Sequence, residues 1–203
     1  MRVVFKSGEI ELEGVLSPKG SKHGVVLCHP HPLYGGSMEN GVILALEDAL
    51  KKSTSVLRFN FRGVGRSKGS FSNGVGERED VRAAVELITA KGVTDVTVIG
   101  YSFGSWVAFS ACYSDRRVRA LAGISPPITM FDFEFLKGCT KPKLFVVGTA
   151  DLFVPRVKFL KFYEELAEPK KYDAVEGANH FWFGYEREAA EKVAEWLSKS
   201  SSS

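Results

Sequence analysis

The chain has 203 residues, 44% of them hydrophobic and 25% charged, which suits one domain with a sizeable core. Its formal net charge of +3 is dispersed, with Lys and Arg interleaved among Asp and Glu, so no basic block suggests nucleic acid. No apolar stretch is long enough to span a membrane, the N-terminus lacks a signal-peptide pattern, and three cysteines at unrelated spacings argue against a disulfide framework. The cytoplasm is the expected compartment. Cys28 and Cys112 lie in apolar runs and read as buried packing residues. The chain contains no Gln and four Asn beside abundant Lys, Arg and Glu, a balance that leans toward a thermophilic source.

Residues 2–17 alternate polar and apolar around Gly8 and read as an edge hairpin. Gly24-Val25-Val26-Leu27-Cys28 is a continuous apolar run, as expected of a strand covered on both faces. It ends in residues 29–36, a loop of no regular period. Helical spacing spans 40–52, and a strand is expected over 55–61, followed by the glycine-rich Arg62-Gly63-Val64-Gly65-Arg66-Ser67. An amphipathic helix over 77–90 closes at Lys91-Gly92. Val96-Thr97-Val98-Ile99 then leads into Gly100-Tyr101-Ser102-Phe103-Gly104 and a helix. Further strands are expected over 118–124, 143–148 and 171–175, with helices over 156–166 and 185–197. Strands of buried type alternating with helices specify a three-layer α/β fold with a mostly parallel sheet and an N-terminal antiparallel hairpin. Residues 1–198 form the one expected domain and 199–203 a disordered tail.

In an open α/β sheet, ligands gather at the carboxyl ends of the strands. Four strand ends here carry unusual residues. Ser102 stands between two glycines at a strand-to-helix junction, the pattern of a nucleophile elbow. Asp151 follows the apolar strand ending at Gly148, His180 lies in Gly177-Ala178-Asn179-His180 after the last strand, and residues 29–36 form the fourth.

The order Ser, Asp, His, together with these motifs, resembles the α/β-hydrolase superfamily nearly end to end. Within it, His29-Pro30-His31-Pro32-Leu33-Tyr34-Gly35-Gly36-Ser37-Met38 and the segment Arg58-Phe59-Asn60-Phe61-Arg62-Gly63-Val64-Gly65-Arg66-Ser67 are similar to small dienelactone-hydrolase-like proteins of bacteria and archaea. True dienelactone hydrolases use a cysteine nucleophile, and this chain has Ser102 there. The resemblance implies a three-layer hydrolase fold in which Ser102 attacks a carbonyl carbon, His180 takes its proton and Asp151 orients the imidazole. It implies one oxyanion donor in the backbone N–H of Phe103. A second is expected from the loop after Cys28. Pro30 and Pro32 lack an N–H, and alignment with the His-Gly common there in the superfamily points to His31, with Leu33 as the alternative if the loop bulges.

Competing readings narrow the set. Asp151 could be a helix N-cap, and Asp132 is a rival acid that does not directly follow a strand. His29 and His31 have metal-ligand spacing, but a site needs three or four ligands and only His23 and His180 remain, so a role in shaping the loop is favoured and neither metal nor cofactor is expected. Gly63-Val64-Gly65 hints at a dinucleotide loop, but Gly69 comes one position too late. It matches instead an Arg-Gly-x-Gly-x-Ser turn, with Asn60 where an Asp is frequent and Arg62 anchoring neighbouring loops. Glu77 and Asp80 suit the dipole of the helix they begin.

The interval 125–142 is too short for a large lid, so the expected site is open or narrowed only by Met130, Phe131, Asp132, Phe133 and Phe135. Tyr34, Tyr101, Phe153, Phe181 and Trp182 are expected to supply an apolar substrate pocket. The expected function is a serine carboxylesterase acting on small or medium acyl esters, the small-molecule acyl substrate being its partner. Thioesterase, lactonase or peptidase chemistry on the same triad, and a non-catalytic binding protein on a hydrolase fold, are the alternatives.

Overall fold

Eight strands and five helices alternate along the chain in the computed structural model, which describes residues 1–200. The strands are β1 (Arg2–Ser7), β2 (Ile10–Ser17), β3 (His23–Cys28), β4 (Ser55–Phe59), β5 (Asp95–Tyr101), β6 (Val118–Ile124), β7 (Lys143–Gly148) and β8 (Lys170–Val175). The helices are α1 (Gly41–Leu50), α2 (Val75–Ala90), α3 (Phe103–Cys112), α4 (Arg156–Glu164) and α5 (Glu186–Ser200). They form one sheet in the order β1-β2-β4-β3-β5-β6-β7-β8. Both pairings of β2 are antiparallel and every other pairing is parallel.

The pleat explains why the central strands are apolar throughout. Along β5, Val96 and Val98 join the core beneath α2, α3 and α4, whereas Ile99 and Tyr101 join the core beneath α1 and α5. Both faces are covered, so both sets of alternate residues must be apolar. The edge strands differ: β1 buries alternate residues, and β8 fully buries only Val175.

Element ends depart from the sequence expectation by a few residues. Strand β4 ends at Phe59: Asn60 N–H still reaches the Glu13 carbonyl of β2, but Phe61 N–H leaves the sheet for His29 Nε2. Helix α2 begins two residues early, at Val75, where Gly74 has φ +85° and its absent side chain makes room for the Trp106 ring. Helix α5 runs to Ser200, so residues 199 and 200 are helical rather than part of a tail, and 201–203 lie outside the described residues. The β6–β7 interval holds a single 3-10 turn, Glu134–Leu136, and no cap. Among the described residues no helix is long and apolar enough to cross a membrane.

Candidate active site

Ser102 occupies the turn between β5 and α3 with φ +53° and ψ −123°, a conformation that costs a non-glycine residue about 1–3 kcal/mol. Neighbouring bonds hold it there: Ser102 N–H donates to the Ile124 carbonyl (2.9 Å), and Ser102 O accepts from Ser105 N–H (2.8 Å) and Oγ–H (2.6 Å). The flanking glycines are steric requirements. A Cβ on Gly100 would collide with the Gly104 carbonyl, and one on Gly104 with the carbonyls of Cys28 and His29. Strand, helix and the β3 loop meet at van der Waals distance around the serine.

Ser102 Oγ lies 2.8 Å from His180 Nε2, and His180 Nδ1 lies 2.9 and 3.1 Å from the two oxygens of Asp151. A carboxylate only accepts, so the ring proton belongs on Nδ1 and Nε2 is left to accept the serine O–H. Asp151 also accepts from the N–H groups of Phe153 (2.9 Å) and Val154 (3.2 Å), which fix it. It does not cap α4, whose cap position is Pro155. Asp132 is engaged elsewhere, accepting from Glu134 N–H (2.7 Å). The His180 loop is pinned from below by Tyr101, whose hydroxyl donates to the His180 carbonyl (2.6 Å).

Trp182 corrects the sequence expectation. It is wholly buried in the core beneath α1 and α5 and does not line the cavity above Ser102. Its φ of +60° turns the indole inward, where Nε1–H donates to Ser125 Oγ (2.9 Å), and Ser125 itself has φ +46°. Two strained residues therefore meet beneath the histidine loop, an arrangement with no sequence signature.

The cavity over Ser102 measures about 430 Å³. Tyr34, Tyr101, Phe153 and Phe181 line it, joined by Pro30, His31, Asn40, Phe103, Pro127, Met130 and Phe131. Of the segment expected to narrow it, Met130 and Phe131 do so, whereas Phe133 turns into the core and Phe135 packs against it. None of the described lining residues is Lys, Arg, Asp or Glu.

The β3 loop treats its two histidines differently. His29 is fully buried, accepts from Phe61 N–H at Nε2 (3.1 Å) and donates from Nδ1 to the Pro30 carbonyl (2.7 Å). Burial pushes its pKa down to about 4, so it is neutral at neutral pH. His31 accepts from Leu33 N–H at Nδ1 (3.2 Å) and packs among Tyr34, Phe71 and Phe103, and partial desolvation lowers its pKa. Leu33 N–H is thereby occupied, and Tyr34 and Gly36 N–H both donate to the His31 carbonyl. Among the described residues, no hydrogen-bond acceptor meets the N–H of His31 or of Phe103.

Arg62 anchors the glycine-rich turn through Asp80, with Nη2–Oδ1 at 2.7 Å and Arg62 N–H to Oδ2 at 3.0 Å. Asp80 and Glu77 are both fully buried, and Glu77 accepts from Ser72 and Gly74 N–H (2.8 Å each). Glu77 stands in the first turn of α2, as its place near the helix start suggests, and caps it through Gly74, while Asp80 ties the helix to the glycine-rich turn. Asn60 spans the same region, accepting from Met38 N–H (2.8 Å) and donating to Glu13 (2.8 Å). Cys28, Cys112 and Cys139 are buried and unpaired.

A family model described as alpha/beta hydrolase fold matches residues 25–138. An uncharacterized protein of Rickettsia prowazekii is 32% identical over 205 residues, covering 95% of this chain and 86% of that one. An alpha-beta serine hydrolase homologue from Coxiella burnetii superposes with TM-score 0.90 at 33% identity, covering 97% of each chain. A serine hydrolase without lid from Xanthomonas campestris superposes with TM-score 0.82 at 29% identity, over 97% of this chain and 94% of its own. Sheet order, elbow and a sequence match over more than half the chain agree, and the chain belongs to the α/β-hydrolase family.

Proposed function

We propose that the protein is a serine hydrolase that cleaves small or medium acyl esters through an acyl-enzyme. The observation that carries this reading is the unbroken chain from Ser102 Oγ through His180 to Asp151, at 2.8 and 2.9 Å, on the floor of an apolar cavity.

Ser102 Oγ attacks the ester carbonyl as His180 Nε2 takes its proton, and Asp151 holds the imidazole in the useful tautomer and stabilises its charged form. The oxyanion is received by the N–H groups of Phe103 and His31. Neither meets an acceptor among the described residues, and removing one such donor from a related site costs about 3–4 kcal/mol. The occupied Leu33 N–H supports His31 over Leu33 as the second donor. His180 then protonates the leaving alcohol, and a water it activates hydrolyses the acyl-enzyme. A lining without formal charge favours a neutral acyl group, because a carboxylate desolvated there would have no cationic partner. The lidless description of the Xanthomonas relative fits a cavity open to such esters. Three buried, unpaired cysteines suit a reducing compartment such as the cytoplasm.

Hydrolysis of p-nitrophenyl acetate and butyrate by the wild type beside Ser102→Ala tests the reading. The variant should lose at least about 10³-fold in kcat. Equal rates for the two proteins would reject it. An acyl-chain series with matched thioesters then separates ester from thioester preference.

A further inference from the structure

The cavity carries one side-chain amide that the proposed chemistry does not use. Asn40 precedes α1, and its Oδ1 accepts from Val42 N–H (3.0 Å), which caps the helix and identifies the oxygen without ambiguity. Its backbone N–H donates to the Ser37 carbonyl and its own carbonyl accepts from Leu44 N–H (both 3.0 Å). Nδ2 is therefore the remaining polar atom of Asn40, with no acceptor among the described residues, on a residue that lines the cavity over Ser102. The amide cannot flip to hide it without breaking the cap.

Which end of a substrate would meet this donor follows from the two faces of the sheet. Tyr101 belongs to the core shared with α1 and α5, and its hydroxyl holds the His180 carbonyl. Helix α1 packs on α5, and the backbone at Gly41 faces the Glu186 side chain just beyond the histidine loop. Asn40 thus stands on the His180 side of the cavity. Phe103 and Phe131 belong to the opposite core. A general acid must reach the oxygen it protonates, so the alcohol lies toward His180 and the acyl chain toward Phe103 and Phe131.

We propose that Asn40 Nδ2 is a specificity determinant of the alcohol subsite, selecting esters whose alcohol carries a neutral hydrogen-bond acceptor such as an ether, hydroxyl or carbonyl oxygen. This rests on the serine hydrolase reading. Phe153 and Phe181, 4.6 and 6.0 Å from the His180 ring, supply the apolar remainder of the subsite, so the amide is its directional contact. An unused donor in an apolar lining discriminates because an alcohol without an acceptor leaves it desolvated and unpaired.

The test compares 2-methoxyethyl butyrate with butyl butyrate, in which one oxygen replaces one methylene, by proton release. Asn40→Asp and Asn40→Ser keep an oxygen to cap α1 while removing the amide, and thermal midpoints close to wild type confirm that the cap survives. The ratio of kcat/KM for the two esters, taken in the wild type over each variant, cancels the intrinsic reactivity of the alcohols and should be about fivefold. A 3-methoxypropanoate and pentanoate pair of butyl esters places the acceptor on the acyl side and should give a ratio near unity. Equal ratios in wild type and variants on the alcohol pair, or discrimination that follows the acyl pair, overturn the inference and leave the hydrolase reading intact. Absence of Ser102-dependent hydrolysis of every ester overturns both.

Discussion

Two loops at the carboxyl end of the sheet carry His29 and His180, and they use these rings in opposite ways. In the β3 loop, His29 spends both ring nitrogens on the protein, on Phe61 N–H and the Pro30 carbonyl. In the β8 loop, His180 spends only Nδ1, on Asp151, and leaves Nε2 to Ser102. Residue type and strand-end position are alike. The fate of the second nitrogen decides whether an imidazole is a brace or is free for the role of base proposed for His180, and that fate is set by burial and by the neighbour each loop meets.

The comparison breaks most sharply at the carboxylate. Asp151→Asn offers His180 Nδ1 an amide that can donate as well as accept, which favours the tautomer with its proton on Nε2, facing the serine. We expect kcat on p-nitrophenyl butyrate to fall by about 10⁴-fold with the fold intact. A loss below about tenfold, with circular dichroism unchanged, would show that His180 does not need Asp151.

The brace is tested at His29. Replacing it with Gln disturbs the loop that presents His31 N–H, and kcat should fall by about 10- to 100-fold, less than at the carboxylate. The stability signature is separate. The folded pKa of His29 is about 4 against an ordinary 6.5, so between those values the unfolded chain binds a proton that the folded chain excludes. Stability therefore rises with pH through that window and is lost as pH falls toward 4, by about 3 kcal/mol if the whole difference is expressed. At pH 7 the wild type should exceed His29→Gln by about 1–3 kcal/mol in urea unfolding, and the gap should close as pH approaches 4. A gap constant across that range would remove the buried neutral imidazole from the account.

The contrast between the loops also marks what the sequence makes legible. Strands β3, β5, β6 and β7 are readable because cover on both faces forces continuous apolar runs. Ser102 and Asp151 stand out because each is a polar residue beyond the carboxyl end of such a strand, whereas His180 follows the edge strand β8. Side-chain direction is not legible. Trp182 follows Phe181 in a run of aromatics, and only its φ of +60° sends it into the core while Phe181 stays at the cavity. Glu77 and Asp80 look like ordinary first-turn acids of α2, and their burial depends on Arg62 and on two N–H groups from the preceding loop. Asn40 looks like a helix cap and is one; its free amide emerges only when the lining of the cavity is known.

Within the loop that carries His180, the proposed base, Trp182 is the anchor. Trp182→Phe keeps a ring but removes the bond to Ser125 Oγ, leaving a fully buried hydroxyl without its donor. The expected cost is about 1–3 kcal/mol of stability, with kcat down about fivefold and KM little changed, because the shift reaches His180 rather than the cavity. Adding Ser125→Ala should recover part of that stability, since removing both partners costs less than removing one. A double variant less stable than Trp182→Phe would deny the pairing.

Phe181 gives the smallest effect and the opposite signature one residue away. It is 57% exposed, stacks on Phe183 at 6.0 Å and 16°, and lines the cavity. Its truncation leaves no core void, so Phe181→Ala should change stability by no more than about 0.5 kcal/mol. The ring becomes buried only when a substrate covers it, and losing that apolar contact weakens ground state and transition state alike. KM for esters of longer alcohols should therefore rise about threefold with kcat unchanged, and the effect should fade as the alcohol shortens. If Phe181→Ala instead lowered kcat on every ester equally, Phe181 would belong with Trp182 as a support of His180, and the division of this loop into an anchor and a contact would fail.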